Sequence, residues 1–264
     1  MYATTYHRPA SVDEAAKLAT GEAKYLSGGQ TLIPTMKQRL AAPSDLIDVR
    51  HIAGMKGITV SGGKVRIGAA TPHHDVATSS ELRGACAALA DLASHIGDPA
   101  VRHMGTIGGS IANNDPAADY PAGLLALNAD IVTNKRTLKA GDFFTGLFET
   151  ALDEGELVVA VEFAAPAKAG YAKFPNPASR YAMTGVFVAK AGDGSVRVAV
   201  TGAGSSGVFR HPGMEQALAG NFAGSALDAT SVDASGLMSD MHASAEYRAN
   251  LVKVMAKRAV AAAG

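Results

Sequence analysis

The chain has 264 residues, 47% of them hydrophobic, and its 24 Lys+Arg are balanced by 24 Asp+Glu. A formal charge of zero without a basic stripe excludes a nucleic-acid binder, which carries a cationic footprint. The single cysteine, Cys86, excludes an internal disulfide framework and a cysteine-ligated iron–sulfur cluster held by this chain alone.

The opening MYATTYHRPASVDEAAKLA lacks the charged-then-apolar order of a signal peptide, and no apolar run reaches the roughly 18 residues of a membrane span, so a cytoplasmic location is expected. Within that opening, Ser11 followed three residues later by Glu14 forms a capping box at the start of a short helix. AKYLSGGQTLIPTMKQRL reads as a short strand, a Gly-Gly turn and a helix, and DLIDVRHI as a strand. Together they predict a β–α–β unit in the first fifty or so residues. KGITVSGGKVRIGA is a hairpin about Ser-Gly-Gly, and TPHHDVATSSELRGACAALADLASHI holds two helical segments ending at Gly97-Asp98-Pro99. LNADIVTNKRTLKAGDFF reads as strands about a tight turn, and ELVVAVEFAAP as a closing strand.

After Ala164-Ala165-Pro166 the pattern changes. AGYAKFPNPASRYAMTGVFVAKAGDGSVRVAVTGAG predicts an antiparallel meander turning at Gly192-Asp193-Gly194, and the chain from about Ala226 has helical spacing. The expected class is α+β, in three parts: 1–53, 54–165 and a C-terminal α+β domain, 166–264.

Two glycine segments stand out. SGGQT (27–31) lies between a strand and a helix start, and its amide groups are placed to cradle a phosphate or simply to turn the chain. It is neither a Walker loop nor GxGxxG. GTIGGS (105–110) reads as a second loop of the same kind, followed by the Asn/Asp-rich run NNDPAAD. A pyrophosphate held from both sides would require both loops. Asp119 would then accept from a sugar hydroxyl, or else cap a helix.

Other candidates fall away. Adjacent His73 and His74 point to different faces and cannot share an ion, which leaves them surface or capping roles. Cys86, in an Ala-rich helical run, reads as a small buried hydrophobe. There is no Gly-x-Ser-x-Gly elbow, and Ser205-Ser206 reads as a plain loop. No residue is assigned a catalytic role and none a metal, so the chemistry is expected to belong to a bound cofactor.

YLSGGQTLIPTMK, IGDPAVRHMGTIGGSIANNDPAADYPA and YAKFPNPASRYAMTGVFVA together resemble the FAD-binding medium subunit of molybdenum hydroxylases, the family of the carbon monoxide dehydrogenase flavoprotein and the xanthine dehydrogenase FAD part. The resemblance runs essentially end to end. It implies a two-subdomain FAD-binding fold of the vanillyl-alcohol-oxidase (PCMH) type plus the C-terminal domain. It also implies a molybdopterin-bearing large subunit and a small subunit with [2Fe–2S] clusters, assembled as a dimer of heterotrimers. Electrons would reach FAD from those clusters and leave to an external acceptor.

By the same resemblance, Leu26, Ser27, Gly28, Gly29, Gln30, Thr31, Leu32 and Ile33 match the first FAD loop. Gly105, Thr106, Gly108, Gly109 and Ser110 match the second. Asn114, Asp115 and Asp119 match ribityl or diphosphate contacts, and Leu157 a backbone contact. Ile96, Lys173 and Tyr181 match positions beside the flavin. Ser179-Arg180-Tyr181, after Pro175-Asn176-Pro177, departs from the Gly-Asp-aromatic step common in relatives. Neither loop carries a His or Cys, so FAD is expected to be non-covalent, with His103 the nearest residue for attachment. A self-sufficient flavin oxidoreductase of the same fold and a non-redox nucleotide-binding scaffold are the alternatives.

Overall fold

The computed structural model describes residues 1–263. Its first sheet has three parallel strands in the order Thr5–His7, Asp45–Asp48, Lys24–Leu26. The outer strand Thr5–His7 is absent from the sequence reading, because three residues give too short a run for alternation to register. The helix Val12–Leu18 is capped as expected by Ser11, whose Oγ accepts the Glu14 N–H, while the Glu14 carboxylate reaches one residue beyond the cap to the Ala10 N–H.

The second sheet has five antiparallel strands in the order Ile58–Ser61, Lys64–Gly68, Val158–Ala164, Asp130–Thr133, Thr137–Lys139. The chain between its second and third strands in sequence is mostly helical, apart from a β-bridge joining Pro72 and Thr106. This stretch contributes His73–Thr78, Ser80–Ser94, Pro99–Met104, Ile107–Asn113 and Tyr120–Ala126. Cys86 lies inside the second of these, with φ −158° and ψ 79°, so that helix is broken there by a kink. Its side chain is buried as expected, and burial pushes the thiol up to about 11.

The C-terminal sheet is the predicted meander, Lys168–Pro175, Ala182–Lys190 and Val196–Thr201, with the short Phe209–Arg210 added at its edge. Its middle strand is buried almost throughout, and its two faces enter different cores. Phe187 and Ala189 join the core with Leu89, Leu92 and Leu124, whereas Val186 and Val188 pack with Met214, Val252 and Met255. An apolar run without alternation is what a strand covered on both sides requires. The helix Ala245–Ala262 covers one side, so closely that a Cβ on Gly170 would run into the Ala259 carbonyl.

Two readings of this region are corrected. The helix Pro212–Gly220, which caps itself with His211 and carries Pro at its first turn, is additional. The stretch after Ala226 is not continuous helix: short 3-10 turns, Gly224–Leu227 and Ala234–Gly236, precede Ala245–Ala262. Repeated Ala and Met suit a helix, but Asp233 and Asp240 accept the N–H groups of Ser235, His242 and Ala243 and hold turns there instead. Among the described residues no helix is long and apolar enough to cross a membrane.

Candidate functional site

The two glycine segments, 79 positions apart in sequence, meet. Ser27 and Thr106 share a hydroxyl–hydroxyl bond of 2.8 Å. A Cβ on Gly28 would lie 2.6 Å from Gly105 Cα, so only glycine permits the two backbones to touch. Gly29 has φ +69°, a left-handed angle, and the amides of Gly29, Gln30 and Thr31 donate to no protein oxygen among the described residues.

The second segment is not a loop, as expected from its glycines, but the start of the helix Ile107–Asn113. Thr106 caps it, its hydroxyl accepting the Gly109 N–H. Packing explains the glycines here: a Cβ on Gly108 would lie 2.5 Å from that of Ala69, and one on Gly105 2.6 Å from His73 Nε2. The Gly108 N–H is already donated to Ala69 O at 2.8 Å.

Both segments open on one cleft of about 770 Å³, within the range of cofactor sites. Its wall includes Leu26, Ser27, Gly28, Gly29, Gln30, Thr31 and Leu32, then Ile96, Gly105, Thr106, Gly108, Gly109, Ser110, Asp115, Asp119, Leu157 and Tyr181. Three expected residues lie off that wall. Ile33 packs with Leu26 and Met36. The Asn114 amide donates to Gly146 O at 2.9 Å and Glu149 O at 2.7 Å, fastening the hairpin whose tip carries Phe148. Lys173 is held behind Asp119, its ammonium 2.9 Å from Asp119 Oδ1 and donating to the His95 carbonyl at 2.9 Å.

Asp119 precedes the helix Tyr120–Ala126 but does not cap it through its side chain. It accepts instead from the Tyr171 hydroxyl at 2.5 Å and from Lys173. Burial pushes the Asp119 carboxyl upward, opposed by the Lys173 ammonium and the Tyr171 hydroxyl. Burial, reinforced by Asp119, also holds the Tyr171 hydroxyl well above its ordinary value. Glu156, another wall residue, is desolvated, yet it titrates at about 2: the Arg136 guanidinium, the Asp153 N–H and the Thr133 hydroxyl all bind its carboxylate and outweigh burial.

His73 corrects its surface assignment. It is buried, lines the cleft, and burial together with Arg102 lowers it to about 4, so the ring is neutral. Its Nδ1 has no partner, and neither does the hydroxyl of Tyr120, whose ring lies 5.3 Å away. The spacing His73–Val76–Ala77, one helix face, carries this signal in the sequence. His74, by contrast, stacks on His103 at 4.0 Å, and Asp75 pairs with Lys56. His103 is off the cleft wall. Phe148 and Arg180, both on the wall at positive φ, were also unanticipated, because nothing in a non-glycine residue announces that angle.

Unengaged main-chain amides, glycines that bring backbones into contact and buried polar atoms without partners are what a phosphate- and hydroxyl-bearing cofactor needs, so the residues fit FAD. Residues 2–166 match the family described as the FAD binding domain in molybdopterin dehydrogenase, and the chain belongs to that family. It thus carries the FAD-binding domain of an oxidoreductase subunit. It is 34% identical to the carbon monoxide dehydrogenase medium chain of Hydrogenophaga pseudoflava, covering 98% of this chain and 96% of that one. It is likewise 34% identical to the nicotine 6-hydroxylase medium subunit of Paenarthrobacter nicotinovorans, covering 99% and 98%. Among solved structures it resembles reconstituted CO dehydrogenase from Oligotropha carboxidovorans with a TM-score of 0.89, at 32% identity, over 99% of this chain and 97% of that chain.

Proposed function

We propose that this chain is the electron-transfer flavoprotein subunit of a molybdenum hydroxylase, with FAD bound non-covalently in the cleft. The observation that carries this reading is the joint wall made by the two glycine segments, with the amides of Gly29, Gln30 and Thr31 unengaged beside it. Those amides take the diphosphate, because aligned N–H dipoles hold an anion without a net cationic protein. Asp119, kept in place by Tyr171 and Lys173, offers its remaining lone pairs to a ribityl hydroxyl. Ile96, Leu157 and Tyr181 flank the ring system and exclude water from one side of it. When bound, FAD supplies the redox chemistry, relaying electrons from [2Fe–2S] carriers to an external acceptor.

The partners follow from this assignment: a molybdopterin-bearing large subunit and a small [2Fe–2S] subunit, in a cytoplasmic dimer of heterotrimers. Whole-length likeness to medium subunits supports it. Residues 1–53 and 54–165 act as the two PCMH-type subdomains and 166–264 as the C-terminal domain; the three principal sheets fall one to each.

Purification of the native assembly, with subunits identified and flavin, molybdenum and iron quantified, tests the reading. One FAD per copy of this chain, with both partners, is expected. A chain that isolates alone and takes up no FAD overturns it.

A further inference from the structure

The wall of the cleft carries Lys24, Asp115, Asp119, Glu156 and Arg180, of which the two buried carboxylates have cationic partners. Asp119 is paired with Lys173, and Glu156 with Arg136. Asp115 accepts the Ala117 N–H at 2.8 Å, which engages one of its oxygens. Lys24, exposed on the strand Lys24–Leu26 that leads into the first glycine segment, has no anionic partner among the described residues. Arg180 is the second such cation, and it alone is set by a turn of its own. It is exposed, it lines the cleft from the C-terminal sheet, and its guanidinium meets no acceptor among the described residues.

Its backbone is held, not loose. Asn176 Oδ1 accepts the N–H groups of Ala178 and Ser179 at 2.9 and 3.1 Å. The Arg180 N–H donates to Asn176 O at 2.9 Å, and the Asn176 N–H donates to Tyr181 O at 2.7 Å. These bonds close a turn that forces Arg180 to φ +62°, an angle costing a non-glycine residue about 1 kcal/mol or more. A glycine would occupy that position without strain. An arginine there puts a planar, five-donor cation at the rim, next to the half-exposed ring of Tyr181.

Resting on the flavoprotein reading above, we infer that Arg180 is a docking cation for the electron acceptor, and that this acceptor carries a phosphate or carboxylate group. An exposed rim cation faces a molecule arriving from solvent. A guanidinium fork binds two oxygens of such a group in parallel, and it steers an anion into the cleft before contact. The same chemistry could instead serve the cofactor's own diphosphate, and the experiment separates the two.

The FAD-loaded complex, reduced anaerobically, is mixed with ferricyanide, an anion, or with neutral benzoquinone, over a range of salt. Inorganic pyrophosphate binding to the oxidised complex is measured by calorimetry, and FAD affinity by titration of the stripped protein. In Arg180→Gln the ferricyanide-to-benzoquinone rate ratio is expected to fall about tenfold, with a weaker salt dependence, and pyrophosphate affinity to fall in parallel. Arg180→Gly, which relieves the backbone, should show the same losses. An unchanged ratio in both variants overturns the inference. So does a loss of FAD affinity with the ratio intact, which would make Arg180 a cofactor residue. So does a loss in Arg180→Gln that Arg180→Gly does not share, which would trace it to the backbone. Each of these leaves the flavoprotein reading standing, whereas wild-type protein that takes up no FAD removes that reading itself.

Discussion

One side of the cleft is made of main chain and the other of side chains. On the first, Gly28, Gly105 and Gly108 allow close contacts, and the His73 imidazole is kept neutral by burial. On the second, Asp119, Tyr171 and Lys173 form a buried cluster, and Glu156 is clasped by Arg136. The first side fails by steric overlap, independently of pH. The second fails when a charge loses its partner. The contrast shows how a neutral protein can line a charged ligand's site: main-chain dipoles supply attraction on one side, and the buried charges on the other are paired with one another.

The largest effect should come from the side-chain wall. Lys173→Met leaves Asp119 buried without its cation and should cost about 3–5 kcal/mol in urea unfolding. Adding Asp119→Asn should recover part of that loss; a double variant as unstable as the sum of the singles would show that the pair is not coupled.

His73 is the exception that sharpens the comparison. Its folded pKa, about 4, lies below its ordinary 6.5, so the unfolded chain binds the proton first. Its contribution is complete above about pH 6.5 and is lost as pH falls toward 4, amounting to at most about 3 kcal/mol. Stability measured across that window should therefore decline more steeply in wild type than in His73→Gln. Parallel curves would mean that the ring is not neutral by burial.

On the main-chain wall, Gly108→Ala drives a methyl into Ala69 and should cost about 1–3 kcal/mol at every pH tested. A thermal scan showing no loss would contradict the close approach. The smallest change is Thr106→Ala, which removes both the cap on the Gly109 N–H and the bond to Ser27 and should cost about 1 kcal/mol. Thr106→Ser should restore most of it, since the hydroxyl does the work.

Much of this architecture was legible in the order of residues. Ser11 and Glu14 announce their helix, the Ser-Gly-Gly hairpin announces itself, and the antiparallel meander turning at Gly192-Asp193-Gly194 is as expected. Both glycine segments were visible as candidates for a ligand, and most of the residues matched to FAD contacts line the one cleft. What each glycine is for was not visible. Gly29 is needed for its angle, Gly28 and Gly108 for what they touch, and a neighbour from far along the chain is invisible to local pattern.

The sequence by itself determined the local elements, the neutral charge balance and the likeness to FAD-binding medium subunits, because period, caps and motifs are properties of neighbouring residues. Only the tertiary structure decided that Lys173 stands behind Asp119, that Asn114 fastens a distant hairpin and that His73 is buried. Burial and pairing depend on distances between segments tens of residues apart, and those distances exist only once the chain has packed.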